Sequence, residues 1–349
     1  MNATVTIGRT TFANPVLAAS GTFEFGLKFP SVANRLGGVV TKAITMQARV
    51  GNPPPRICEF PGGILNSVGL ENPGIEKFCA EIVPRTAKLK SRVVVNVAGF
   101  TVEEYGELAA RLDSEPVDAL EVNVSCPNVK EGGALFGQQP RVVEAITALV
   151  RKETTKAIII KLTANFVDPV ETAKAAEAGG ADGVTLINTL FGLALDEHGR
   201  PFLGGRTGGV SGPALKPFAL FCVDRVAAAV KIPIVGCGGI MNGQDALDFL
   251  SAGARMVQVG TASLVNPEAA FEVWTGLKEY SAKNRLTGWE QIVGRTRRHG
   301  GGVRVEVRCQ KLDVRSQKCG HGQRTEDEDG RMYDGGRSQK SEVRRREAD

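Results

Sequence analysis

Short apolar runs alternate with amphipathic stretches through the first 294 residues. The runs at 16–19, 38–44, 93–98, 119–124, 157–162, 183–188, 232–236 and 256–260 are too short for helices. They are rich in Val and Ile and lack a polar–apolar alternation, which is how strands buried on both faces read. Between them, apolar positions spaced three and four apart predict helices over 101–113, 140–152, 169–178, 213–230 and 244–252. Thr101 ahead of Val-Glu-Glu supplies an N-cap and a capping-box glutamate. Asp168 caps a helix that has Pro169 at its first position.

Eight strand–helix repeats in about 290 residues match the size of a closed (β/α)8 barrel, the TIM barrel of the α/β class. The rival is an open doubly wound sheet. It would place a Gly-x-Gly-x-x-Gly turn after an early strand, with an acidic residue about 20 positions further on. Nothing of that form follows the run at 16–19, so the barrel is the expected fold.

Composition narrows the picture. The chain has 349 residues, 42 of them glycine, with no period-three repeat, so the glycines serve turns and close backbone approaches and not a collagen helix. No apolar run reaches the 18 or so residues of a membrane-spanning helix. The N-terminus shows no charged region followed by an apolar stretch, and the seven cysteines have no regular spacing. Both features point to free thiols in a reducing cytoplasm.

Charge divides the chain. Residues 295–349 hold 15 of the 43 basic and 10 of the 38 acidic residues, which leaves 28 of each sign in residues 1–294. A neutral body argues against nucleic acid as a partner. The segment 295–349 is poor in apolar residues and carries runs such as Glu326-Asp327-Glu328-Asp329 and Arg344-Arg345-Arg346. It is expected to be a disordered, low-complexity charged tail outside the fold, because it buries too little to offset its ordering entropy.

Barrel chemistry sits at the C-terminal ends of the strands. Those ends carry Ser20, Lys42, Asn96, Asn123, Lys161, Asn188, Gly238, Gly239, Gly260 and Thr261. One strand-end asparagine is usually a turn former. Three, with two lysines, on otherwise apolar strands call for a polar ligand to satisfy them. The glycines after strands seven and eight, with Gly212 ahead of Pro213, suit a backbone phosphate cradle.

The general base is harder to find. Of three histidines, His299 and His321 fall in the tail and His198 stands among Asp196, Glu197 and Arg200 as a solvated loop residue. No Cys-x-x-Cys or His-x-x-x-His spacing offers a metal site. Cys58, Cys79, Cys222 and Cys237 read as small hydrophobes. Cys126 differs: it follows strand four among polar residues, in a loop that runs through Lys130 and several glycines, and it suits a lid carrying a base or a nucleophile.

With these residues in view, the sequence resembles the class 1 dihydroorotate dehydrogenases, and within them the class 1B catalytic subunit, from about Val5 to Gly294. The likeness is carried by Ala19-Ser20-Gly21-Thr22-Phe23, Thr41-Lys42-Ala43, Gly51-Asn52-Pro53-Pro54-Pro55-Arg56, Asn66-Ser67-Val68-Gly69-Leu70-Glu71-Asn72-Pro73-Gly74 and Asn123-Val124-Ser125-Cys126-Pro127-Asn128. The resemblance implies an FMN enzyme that oxidises (S)-dihydroorotate to orotate in pyrimidine synthesis, with Cys126 as the base. It implies substrate contacts at Lys42, Asn66, Ser67, Val68, Gly69, Leu70, Asn123, Asn128, Asn188 and Thr189. Flavin contacts carry over to Ser20, Lys42, Ala43, Asn96, Asn123, Lys161, Ile187, Gly212, Gly238, Gly239, Gly260 and Thr261, with Lys161 near the flavin N1 edge.

Class 1B membership further implies a homodimeric core with a second subunit that carries FAD and a [2Fe–2S] cluster, a heterotetramer that delivers electrons to NAD+. The tail departs from the family pattern. Three alternatives stay open at this level: a fumarate-dependent class 1A enzyme, a dihydropyrimidine dehydrogenase-like FMN barrel and a non-catalytic phosphate-binding barrel.

Overall fold

The computed structural model describes residues 2–125 and 136–298. All eight apolar runs become barrel strands. In chain order they are Val16–Ala18, Gly38–Val40, Arg92–Val97, Ala119–Asn123, Ala157–Lys161, Gly183–Leu186, Ile234–Cys237 and Met256–Val259. Each pairs in parallel with the next, and the eighth returns to the first to close the barrel. The register sets Asn96 beside Glu121 and Asn123 beside Lys161.

Because side chains alternate along a strand, every second residue points into the barrel. At the N-terminal end this interior is apolar, with Leu17, Val40, Val94, Ala119, Ala157, Ile159, Val235 and Met256 in one cluster. A two-stranded hairpin, Val5–Ile7 with Thr10–Phe12, adds Ile7 and Phe12 to that cluster and plugs this end.

The helices begin where the sequence predicts. Thr101 accepts from the Glu104 N–H at 3.3 Å to cap Val102–Asp113. The Glu104 carboxylate takes the N–H of Phe100 at 2.6 Å and not that of Thr101, so the expected box closes one residue early. Asp168 accepts from the Val170 N–H at 3.0 Å, and Pro169–Ala178 follows. The window at 213–230 divides into a 3-10 turn, Pro213–Leu215, and a helix, Lys216–Ala227.

Three features lie beyond the sequence reading. One is the N-terminal hairpin. Another is the helix Ala269–Lys283, whose Gly276 sits so close to Gly243 that an added Cβ would stand 3.0 Å from the Gly243 Cα. The third is a four-stranded antiparallel sheet of Ile57–Phe60, Gly63–Asn66, Gly208–Ser211 and Leu190–Gly192, inserted after the second and sixth barrel strands. The described body also runs past residue 294. The turn Arg295–Arg298 is helical, and Arg297 donates to the Ala252 carbonyl at 2.8 Å. Among the described residues, no helix is long and apolar enough to cross a membrane.

Candidate active site

At the C-terminal end of the barrel a cavity of about 360 Å³ opens between the strand ends and the inserted sheet. Its wall includes Ser20, Lys42, Ala43, Asn66, Val68, Gly69, Leu70, Asn123, Lys161, Ile187, Asn188, Thr189, Gly238, Gly239, Gly260 and Thr261. One site therefore gathers residues from seven barrel strands or their following loops, together with the inserted sheet.

Three expected residues stand behind the wall. Asn96 is wholly buried and donates its amide to Glu121 at 2.8 Å. Ser67 is buried, with its hydroxyl 3.0 Å from the Asn52 amide. Gly212, at φ +105°, is packed against Gly63. Cys126 and Asn128, with the loop that contains Lys130, lie outside the described residues.

Backbone partners orient the three asparagines in the cavity. Asn66 donates its amide N–H to the Gly209 carbonyl at 3.1 Å, and Asn188 donates to the Ser125 carbonyl at 2.8 Å. Both therefore keep a carbonyl oxygen for a ligand. Asn123 is the reverse. Its oxygen accepts from the Ser125 N–H at 3.1 Å, and no described residue takes its NH2. The wall thus presents two acceptors and one twofold donor, which matches a planar ring edged with both N–H and C=O groups.

The charges are set at two depths. Lys42, near the mouth, has its ammonium 3.7 Å from Glu71, which is itself held by Arg56 at 2.5 Å. Lys161, only 5% exposed, lies deeper, with its ammonium 3.5 Å from Glu121. Burial, the largest single influence, lowers the proton affinity of Lys161, but the charge and hydrogen bond of Glu121, with a contribution from Cys237, together outweigh it and hold the group above the ordinary lysine value. The lysine is therefore a fixed cation.

Cys237 corrects an expectation. It is not a packed hydrophobe but part of the cavity wall beside Lys161, although burial pushes its thiol up and keeps it protonated. Cys58 is likewise only half-buried, on the inserted sheet, whereas Cys79 and Cys222 are buried with thiols pushed up to about 11. His198 is exposed in its loop, as expected.

The far wall is a backbone cradle. Gly238 and Gly239 adopt φ +131° and +75°, and a Cβ on Gly239 would stand 2.8 Å from the Gly212 carbonyl oxygen. Among the described residues, none accepts a backbone hydrogen bond from Gly238, Gly239 or Gly260. Nearby, the Thr261 and Ser211 hydroxyls lie 3.0 Å apart. Unpaired N–H groups, hydroxyls and glycines that leave no room for side chains suit a phosphate at this point. With Lys161 deeper in the same cavity, the residues fit an anionic cofactor whose phosphate would sit at the cradle.

Sequence reasoning missed Glu121. Its carboxylate has no solvent contact and accepts from Asn96, Thr185 and Gln258 while it pairs with Lys161. Strand parity was the available signal, since Glu121 and Asn123 share the inward face of one strand.

Comparison with known proteins places these residues in context. The family model for dihydroorotate dehydrogenase matches residues 2–280. The chain is 47% identical over 297 residues to a protein of Lachnoclostridium phytofermentans named dihydroorotate dehydrogenase B (NAD(+)), catalytic subunit, covering 84% of this chain and 99% of the relative. Proteins of the same name from Desulforamulus reducens and Trichlorobacter lovleyi are each 48% identical, over 98% and 97% of their lengths.

Proposed function

Because the chain belongs to the dihydroorotate dehydrogenase family, we propose that it is the catalytic subunit of an NAD+-linked enzyme that oxidises (S)-dihydroorotate to orotate in pyrimidine synthesis. One observation carries the reading: a single cavity joins a phosphate cradle, a buried fixed cation and three amides pre-oriented for a ring with N–H and C=O edges.

The residues of the cavity suit FMN, which when bound would supply the acceptor for the hydride from C6 of the substrate. The residues that would hold its phosphate are Gly238, Gly239, Gly260 and Thr261, with Ser20, Ala43 and Ile187 along the ring. Lys161 would face the part of the ring that gains negative charge on reduction, a stabilising electrostatic role. Asn66, Asn123, Asn188 and Thr189 would hold the substrate ring, and Lys42 its anionic charge. Cys126, the polar-flanked thiol that follows Ser125, would take the C5 proton as thiolate. Ser125, the residue before it, is held at the site: its carbonyl receives the Asn188 amide and its hydroxyl lies 3.1 Å from the Lys161 carbonyl.

The relatives are named as catalytic subunits, so we assign electron exit to a partner protein. That partner would carry FAD and a [2Fe–2S] cluster, in a heterotetramer built on a homodimer of this chain and working in the cytoplasm. The sequence holds no second dinucleotide fingerprint of its own. Anaerobic addition of dihydroorotate should bleach the flavin absorbance of the purified chain. NAD+ alone should restore it slowly, and NAD+ with the co-expressed partner quickly. Rapid NADH formation by the single chain would refute the two-subunit reading, and rapid turnover with fumarate would move the chain to class 1A.

A further inference from the structure

Glu121 lies in the barrel interior one layer below the cavity, fully enclosed. Its partners come from four other strands: Asn96 at 2.8 Å, Thr185 at 2.9 Å, the Gln258 amide, and Lys161 at 3.5 Å. The layer beneath is apolar throughout, so the barrel has no packing need for polar groups at this depth. The polar layer is also costly, since the Asn96 and Gln258 carbonyl oxygens are buried without a partner. Buried ion pairs are weak sources of stability, and apolar replacements often match them. Fold stability therefore does not account for this carboxylate. Its relation to Lys161 does. Among the described residues, Glu121 is the one anionic partner of that ammonium. Among the described residues, the titratable groups facing Lys161 are Glu121 from the fourth strand and the Cys237 thiol from the seventh.

We propose that Glu121 is a positioning residue for the flavin site: it fixes the height of the Lys161 ammonium at the cavity floor and keeps it charged toward the bound ring. The proposal rests on the flavin reading above. Glu121 sits below the lysine and out of reach of the cavity, so it acts only through Lys161. Without the carboxylate, burial favours the neutral amine, and the site loses its cation as the solution becomes alkaline.

The test is FMN affinity against pH, read by quenching of free FMN fluorescence as the flavin-free chain is titrated in. Wild type should bind equally well from neutral to mildly alkaline pH. E121Q should bind at neutral pH and then weaken by up to about tenfold per pH unit once the lysine titrates. E121D, which keeps the charge, should restore most of the flat profile. The double variant E121Q/K161R should be flat as well, because a guanidinium does not titrate in this range. A purely structural role would lower affinity equally at all pH values. A flat profile in E121Q, or a slope in E121Q/K161R matching that of E121Q, would overturn the proposal. If E121Q does not fold, E121N, which also removes the charge, decides: affinity that falls toward alkaline pH supports the proposal and a flat profile refutes it. A wild-type chain that binds no FMN would refute the flavin reading and this inference together.

Discussion

The asparagines of the cavity differ in which end of the amide the protein has already used. Asn123 spends its oxygen on Ser125 and presents its NH2, whereas Asn66 spends its N–H on Gly209 and presents its oxygen. The two should therefore respond differently to substitution. Asn66→Ala removes one neutral hydrogen bond, and orotate should bind about fivefold more weakly, the effect of roughly 1 kcal/mol. Asn123→Asp keeps the acceptor that Ser125 needs but turns a carboxylate oxygen toward an anionic ligand. Its loss should be larger, about a hundredfold. Titrating the flavin spectrum with orotate measures both, and an Asn123→Asp effect no larger than that of Asn66→Ala would contradict the assigned orientation. Cys126→Ser should retain FMN but slow flavin reduction at neutral pH, because a serine hydroxyl ionises far less readily than a thiol of reference pKa about 8.5. Stopped-flow reduction at the wild-type rate would rule out Cys126 as the base.

At the scale of elements, the inserted sheet packs tightly against the substrate end of the cavity. A Cβ on Gly209 would lie 2.1 Å from the Thr189 hydroxyl and 2.6 Å from its Cβ. Gly209→Ala should therefore displace Thr189 and weaken orotate binding by about tenfold, in line with overpacking costs of roughly 1–3 kcal/mol. The flavin content should change little, since Gly209 meets Thr189 whereas it is the other end of its strand, Ser211, that meets Thr261 of the phosphate cradle. Loss of flavin would show that the displacement reaches the cradle. This sheet was not legible in the sequence, for physical reasons. Its strands are three or four residues long and partly exposed, and Gly63, Gly192, Gly208 and Gly209 break any alternation. The barrel strands were legible because burial on both faces demands unbroken Val and Ile. Glu121 was hidden by the same rule, since one charge in Ala-Leu-Glu-Val-Asn does not disturb an apolar run. The strand-end lysines and asparagines were visible because the ends of barrel strands are where polar residues need a reason to be.

For the whole molecule, the described body reaches Arg298, held by Arg297 to the Ala252 carbonyl and by Thr296 to Asp224 at 2.7 Å. Deleting residues 299–349 should leave flavin content and dye-linked dihydroorotate oxidation intact, because that segment has few apolar residues to contribute. Cutting at 294 should cost about 1–2 kcal/mol from the lost hydrogen bonds, seen as a melting temperature a few degrees lower. Aggregation of the longer truncation product would show that the C-terminal segment belongs to the fold. The hairpin of Ile7 and Phe12 at the opposite end has a kinetic consequence. Above that hairpin the barrel interior is filled by the apolar cluster and the Glu121 layer, so the cavity is closed from below. With FMN on the Lys161 side and the substrate nearer Lys42, as proposed, the cofactor would load before the substrate and could not leave past it, so orotate should slow the exchange of bound FMN with free flavin. Turnover would then cycle only the upper occupant while the lower one stays through successive rounds.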